Sequence, residues 1–151
     1  MADLTGRIQI KAGSPEGYRA LAGLTRAGHP DHALGELIKL VASHINNCRY
    51  CVAAHEEGGR KVGLSDDRIA ATADWQASTV FDDRERAAFA LTELLTRSDA
   101  LAGAEDSPAA PVWAAAAEAF PGEELLQVVM TVVAINAWNR AMIAEAVSEG
   151  G

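Results

Sequence analysis

The chain has 151 residues, 49% of them apolar and 23% charged, with a formal net charge of −8. That length suits one domain spanning 1–151 with a core of its own, and an acidic balance without clustered Lys or Arg argues against a nucleic-acid or anionic-membrane partner. The opening MADLTGRIQI lacks an apolar h-region, and the longest apolar run, around Leu125 to Trp138, is cut by Gln127 and Asn136. The expectation is therefore a cytoplasmic protein with no membrane span.

Alanine is abundant and β-branched runs are few, so helix is favoured over strand throughout. The first dozen residues read as an irregular arm. Pro15 and Glu16 open a short helix to about Ala27, closed by Gly28. In HPDHALGELIKLVASHIN, Pro30 and Asp31 suit a first turn, and Leu34, Leu37, Ile38, Val41 and Ile45 recur at helical spacing. Asn46-Asn47 reads as a break. A third helix starts near Cys48 and runs toward Lys61, with Gly63 as its stop and Gly58-Gly59 weakening it. Ser65 caps a short helix through Ala73. Asp82 caps a better one with an apolar face of Ala87, Ala88, Leu91, Leu94 and Leu95. Ser98 to Pro111 reads as the longest loop, followed by a short helix from Trp113 to Phe120. Pro121-Gly122 then leads into EELLQVVMTVVAINAWNRAMIAEAVS, the last helix. The fold class is all-α, with about seven helices.

The last helix echoes the second and third. With Glu124 set on Glu36, Leu125 meets Leu37, Val129 meets Val41, Thr131 meets Ser43 and Trp138 meets Tyr50. Asn136 and Asn139 take the places of Cys48 and Cys51, and Ile143 that of His55. The pattern points to two related helical units, of which only the first carries reactive groups.

Both cysteines and one of the four histidines lie in NNCRYCVAAHE. On a helix beginning at Cys48, the side chains of Cys48, Cys51 and His55 share one stripe. A thiol at a helix N-terminus is acidified by unpaired N–H groups and the macrodipole, and three-residue spacing lets two sulfurs join reversibly. Arg49 would help hold a thiolate. His55 is a side-chain type that can accept or donate a proton under physiological conditions. Glu36, on an otherwise apolar helix face, could reach His55 if its helix folds back along the third, as a buried acid or base with a raised pKa. His44, one turn before Cys48, is a possible accessory group. A thiol pair in a reducing compartment is catalytic, redox-sensing or metal-binding, and Cys48, Cys51, His55 and either His44 or Glu36 are ligand types that zinc accepts. Against zinc, the second half of the chain offers no matching pair. His29 and His32 read as ordinary residues of a polar helix start, and Trp75, Trp113 and Trp138 as core or interface aromatics.

ELIKLVASHINNCRYCVAAHE resembles the core of the alkyl hydroperoxidase D-like (AhpD-like) proteins of the carboxymuconolactone decarboxylase family. Their motif is a glutamate, eleven residues, then C-x-x-C-x-x-x-H, matched here by Glu36, Cys48, Cys51 and His55. RIQIKAGSPEGYRALAGL and INAWNRAMIA resemble the N-terminal arm and C-terminal signature of one branch. The resemblance implies an all-α fold with a duplicated helical unit, homo-oligomers such as trimers or hexamers, and thiol-dependent reduction of hydroperoxides without cofactor or metal. By that resemblance Cys51 attacks the peroxide and becomes a sulfenic acid, Cys48 resolves it to a disulfide, and Glu36 and His55 relay protons. The implied partners are a peroxide substrate and a thiol or dithiol reductant protein. Tyr50 departs from the pattern, standing where well-studied hydroperoxidases of this kind have a second histidine. The helix-terminus argument makes Cys48 the more acidic thiol, whereas the family gives the attack to Cys51. Two further readings stay open: a non-enzymatic redox-sensing or zinc-binding helical protein, and a lactone-decarboxylase-type enzyme that uses Glu36 and His55 without the thiols.

Overall fold

A computed structural model describes residues 5–97 and 107–148. Among these, eight α-helices and one 3-10 turn form, and no strand. A short α1 (Ile10–Gly13) lies within the arm expected to be irregular, where the Ile10 amide donates to Glu145 Oε2 at 2.8 Å. α2 (Pro15–Thr25) starts on its proline, whose missing N–H costs nothing in a first turn. α3 (His32–Ile45) is capped by Asp31, which accepts from the Leu34 amide at 3.1 Å. It stops where Asn47 turns to φ 55°, a left-handed conformation that asparagine tolerates better than most residues.

α4 (Arg49–Lys61) then begins one residue later than the spacing predicts, because Cys48 is its N-cap. Gly63 at φ 89° ends that turn of chain, and Ser65 caps α5 (Asp66–Ala71), which runs into the 3-10 turn Thr72–Asp74. α6 (Asp83–Arg97) opens on a reciprocal box. Asp82 Oδ1 accepts from the Glu85 amide at 2.8 Å, and Glu85 Oε2 accepts from the Asp82 amide at 3.0 Å. α7 (Ala110–Ala119) starts earlier than expected, since Pro111 sits in its first turn instead of ending a loop. Residues 98–106, the bulk of that predicted loop, lie outside the described residues. α8 (Glu123–Ser148) completes the fold.

α3 is the axis of the core and packs against α4, α6 and α8. Its Leu37, Ile38, Leu40 and Val41 are fully buried, on most of its circumference instead of one face. Each contributes about 1.5–3 kcal/mol of apolar burial. Phe89 of α6 meets Phe81 and Trp75 edge to face, and Phe120 seals the end below α7. Among the described helices α8 is long and apolar enough to cross a membrane by length and composition, more so than the interruptions at Gln127 and Asn136 suggest. Here its Val128, Val132, Ala134 and Ile135 close the core.

The amides that replace the cysteines in the sequence echo have a definite place. Asn46 Nδ2 donates to Asn136 Oδ1 at 3.0 Å and to Asn139 Oδ1 at 2.8 Å. Asn139 Nδ2 donates to Ser43 Oγ, and Asn136 Nδ2 to Thr96 Oγ1, each at 3.0 Å. α8 is one continuous helix where α3 and α4 are two, so its polar groups brace the break that they do not repeat. Asn139 is fully buried. Replacing it by Leu takes one of the two acceptors from Asn46 Nδ2 and the donor from Ser43 Oγ, and Asn139→Leu is expected to lower unfolding free energy by about 1–3 kcal/mol in urea denaturation.

Candidate active site

Cys48 and Cys51 are joined as a disulfide with S–S 2.03 Å and Cα–Cα 5.2 Å. Both residues are buried, and the Cys51 amide points at Cys48 Sγ across 3.4 Å. This is the helix-terminal setting the sequence predicts for Cys48, with its sulfur facing the unpaired amides of the first turn. The N-cap role also explains the register. The Cys48 amide is spent on Ser43 O (3.0 Å), and its carbonyl accepts from Val52 at 2.9 Å.

His55 follows Cys51 by one turn, and Glu36 reaches it from α3. Glu36 Oε2 lies 2.8 Å from His55 Nδ1, while Oε1 accepts from Lys39 Nζ at 2.8 Å. Two partners on two oxygens decide the charge of the carboxyl. Burial raises its pKa, but the hydrogen bonds and charges of His55 and Lys39 together outweigh burial and hold it below the ordinary glutamate value. The raised pKa expected from the sequence is therefore corrected: Glu36 is an anion. An anionic carboxylate only accepts, so His55 Nδ1 carries the proton and Nε2 is left for chemistry.

The approach is close because Gly58 has no side chain. A Cβ at that position would stand 2.5 Å from Glu36 Oε2. Gly58 is thus the opening through which the carboxylate enters, beyond the helix weakening its type suggests. Lys39 carries no site reading in the sequence, and Gly58 reads there only as a weak point of its helix. The available signals were an i,i+3 acid–base pair on α3 and a glycine one turn after the histidine.

Cys51, His55, Lys39, Tyr50, Trp138 and Met142 line a small cavity of about 120 Å³. Its walls are mostly apolar carbon. Trp138 is fixed by Thr25 Oγ1, which accepts from Nε1 at 2.9 Å, and by the edge of Tyr18. Tyr50 is 67% exposed and stands at the mouth. His44 does not line this cavity. It faces a separate depression with Glu56, where burial lowers its pKa against the pull of that carboxylate. Among the described residues no cluster of three or more His, Cys, Asp or Glu is placed to hold a metal, and both candidate thiolate ligands are tied up in the disulfide. His29 is a packing residue instead of a solvated one: its ring meets Phe120, its Nδ1 accepts from the Asp31 amide, and its own amide donates to Thr131 Oγ1.

Comparisons with known proteins bear on the family and the fold. The profile of the carboxymuconolactone decarboxylase family matches residues 14–94, which contain all of Glu36, Cys48, Cys51 and His55. The uncharacterized protein YdfG of Bacillus subtilis (strain 168) is 25% identical over 144 residues, covering 93% of this chain and 95% of its own length. A crystal structure from Agrobacterium tumefaciens is 32% identical, with a TM-score of 0.80 over 91% of this chain and 92% of that one. It is a protein of unknown function, provisionally called antioxidant defence protein AhpD.

Two outcomes test the geometry of the acid–histidine pair. Since the folded pKa of Glu36 lies below its unfolded value, the stability it contributes is complete above the unfolded pKa, about 4.3, and is lost as pH falls through the folded value. The stability gap between the wild type and Glu36→Gln in urea is expected to be widest near neutral pH and to shrink on acidification. Gly58→Ala, which helix propensity alone favours by up to about 1 kcal/mol, is expected to lower the urea midpoint, because a carboxylate held at both oxygens must surrender a partner to make room.

Proposed function

The chain is an AhpD-like member of the carboxymuconolactone decarboxylase family, and on that premise we propose that it is a disulfide-cycling thiol peroxidase that reduces organic hydroperoxides. One observation carries the reading: one sulfur of a bonded cysteine pair opens onto the same cavity as an imidazole whose far nitrogen is fixed by a buried carboxylate.

In the dithiol state, His55 Nε2 takes the Cys51 proton and leaves a thiolate facing the cavity. The thiolate attacks the terminal oxygen of ROOH. The O–O bond breaks, the alkoxide takes the proton from His55, and ROH leaves with Cys51 as a sulfenic acid. Cys48 then attacks the Cys51 sulfur. Its proton and the departing hydroxide form water, and the disulfide closes. Glu36 stays ionised throughout, so its part is to orient His55 and stabilise the imidazolium, not to carry a proton away. A cavity of this size and polarity suits a small apolar hydroperoxide. Tyr50, in the place of a second histidine, leaves His55 as the base at this cavity.

A thiol or dithiol reductant protein in the cytosol would restore the dithiol. Assembly into trimers or hexamers belongs to the same reading, and α8 offers an outward apolar pair for it, Leu126 and Val133, exposed and seven residues apart.

Consumption of tert-butyl hydroperoxide with a stoichiometric thiol reductant is the decisive assay. Cys48→Ser and Cys51→Ser should each abolish turnover, and His55→Asn should slow it by about 10²–10⁴-fold, the range of a positioned general base. Full activity in both serine variants, or activity surviving alkylation of both cysteines, would instead favour a lactone- or keto-acid reaction run by Glu36 and His55.

A further inference from the structure

The two sulfurs do not open onto the same space. Cys51 faces the small cavity just described, while Cys48 lies on the floor of a separate groove of about 530 Å³ formed with Arg49, Tyr50, Met142, Ile143 and Ala146. Tyr50 and Met142 border both and form the wall between them. The difference in size separates two classes of reactant. The cavity, at about 120 Å³, has room for a small hydroperoxide. The groove falls within the about 300–1,000 Å³ of ordinary ligand sites.

Charge separates them further. Arg49 is the charged residue in the lining of the groove, on a chain whose net charge is −8. Its side chain is exposed. Among the described residues lining the groove there is no acid, so an anion entering it meets the cation of Arg49; Glu56 lies with Arg49 in the separate depression on the other side.

We propose that this groove binds a small carboxylate-bearing thiol, with Arg49 gripping the carboxylate while the thiolate attacks Cys48. The inference takes from the preceding subsection only that the disulfide is reduced and re-formed, and it does not need the oxidant to be a peroxide. In the first step the incoming thiolate forms a bond to Cys48 Sγ. The Cys48–Cys51 bond breaks, and its electron pair leaves on Cys51. That leaving group lines the same cavity as His55, whose Nε2, after taking up from solvent the proton that the incoming thiol released there, passes it to Cys51, and a stabilised leaving thiolate speeds exchange. A second molecule of the thiol attacks the sulfur of the bound one. Cys48 departs as thiolate, and the small disulfide dissolves away. Overall, two thiols are oxidised to one disulfide as the protein disulfide gains two electrons and two protons. Attack on Cys51 instead would have to pass through the small cavity.

The test starts from wild-type protein oxidised with diamide, so that failure of peroxide turnover leaves it intact. Reduction of the disulfide is followed by quenched thiol titration, with 3-mercaptopropionate and 2-mercaptoethanol compared at equal thiolate concentration. Wild type should prefer the carboxylate-bearing thiol, and Arg49→Glu should shift the ratio of the two rates by about tenfold toward the neutral thiol, as charge reversal at a docking site does. The ratio within each protein cancels changes in folding or in the intrinsic reactivity of the pair. Ala146→Trp, which fills the groove, should slow both thiols while leaving oxidation by diamide intact. An unchanged ratio in Arg49→Glu, or unimpeded reduction in a folded Ala146→Trp variant, would overturn the proposal.

Discussion

Everything at the centre of this molecule turns on one carboxylate shared between two helices. Glu36 leaves the buried side of α3, spends one oxygen on Lys39 of its own helix, and passes the other to His55 of α4. A lone buried carboxylate costs several kcal/mol, and the cheapest escape is usually to take up a proton. Here the hydrogen bonds and charges of His55 and Lys39 together remove that escape and keep the acid charged, so the imidazole faces an anion at Nδ1 and keeps Nε2 for chemistry. The lysine is as much part of the device as the groups that face the sulfurs, although it shows only as a routine helix-surface pair in the sequence.

Backbone chemistry places these groups. α3 must end before the cysteines, and it does so through Asn47 in a left-handed conformation. The reversal lays α4 back along α3, bringing a residue from the start of one helix beside the middle of the other. Gly58 then lets the helices close to the distance at which carboxylate and imidazole touch. Asn136 and Asn139 of α8 hold the corner from behind through Asn46 and Ser43. The disulfide thus sits on a braced corner, the rigid kind of support that the proposed cycling would need.

Much of this was legible in the residue order, for physical reasons. Helical spacing of Leu34, Leu37, Ile38 and Val41, the caps Asp31, Ser65 and Asp82, and the Asn46-Asn47 break are local signals, and local signals determine local structure. The grouping of Cys48, Cys51 and His55 on one stripe follows from helix periodicity alone. What the order could not convey is the balance among long-range partners. The ionisation of Glu36 depends on a sum in which burial pulls one way and the interactions with His55 and Lys39 the other, so its sign was misread. The separation of Cys51 from Cys48 by Tyr50 depends on where α8 crosses, through Met142. His44, close to Cys48 in the chain, faces away because α3 has turned by then. Pro111 was read as a loop residue, because a proline in a first turn and a proline in a loop look alike without their neighbours.

The wall of the small cavity includes an indole. Trp138 is pinned by Thr25 and Tyr18 and lines the same space as Cys51. A disulfide is an efficient quencher of excited indole at short range, whereas a pair of thiols is a weaker one. The protein therefore carries its own optical gauge of redox state, and Trp138 should glow more brightly each time the two sulfurs part.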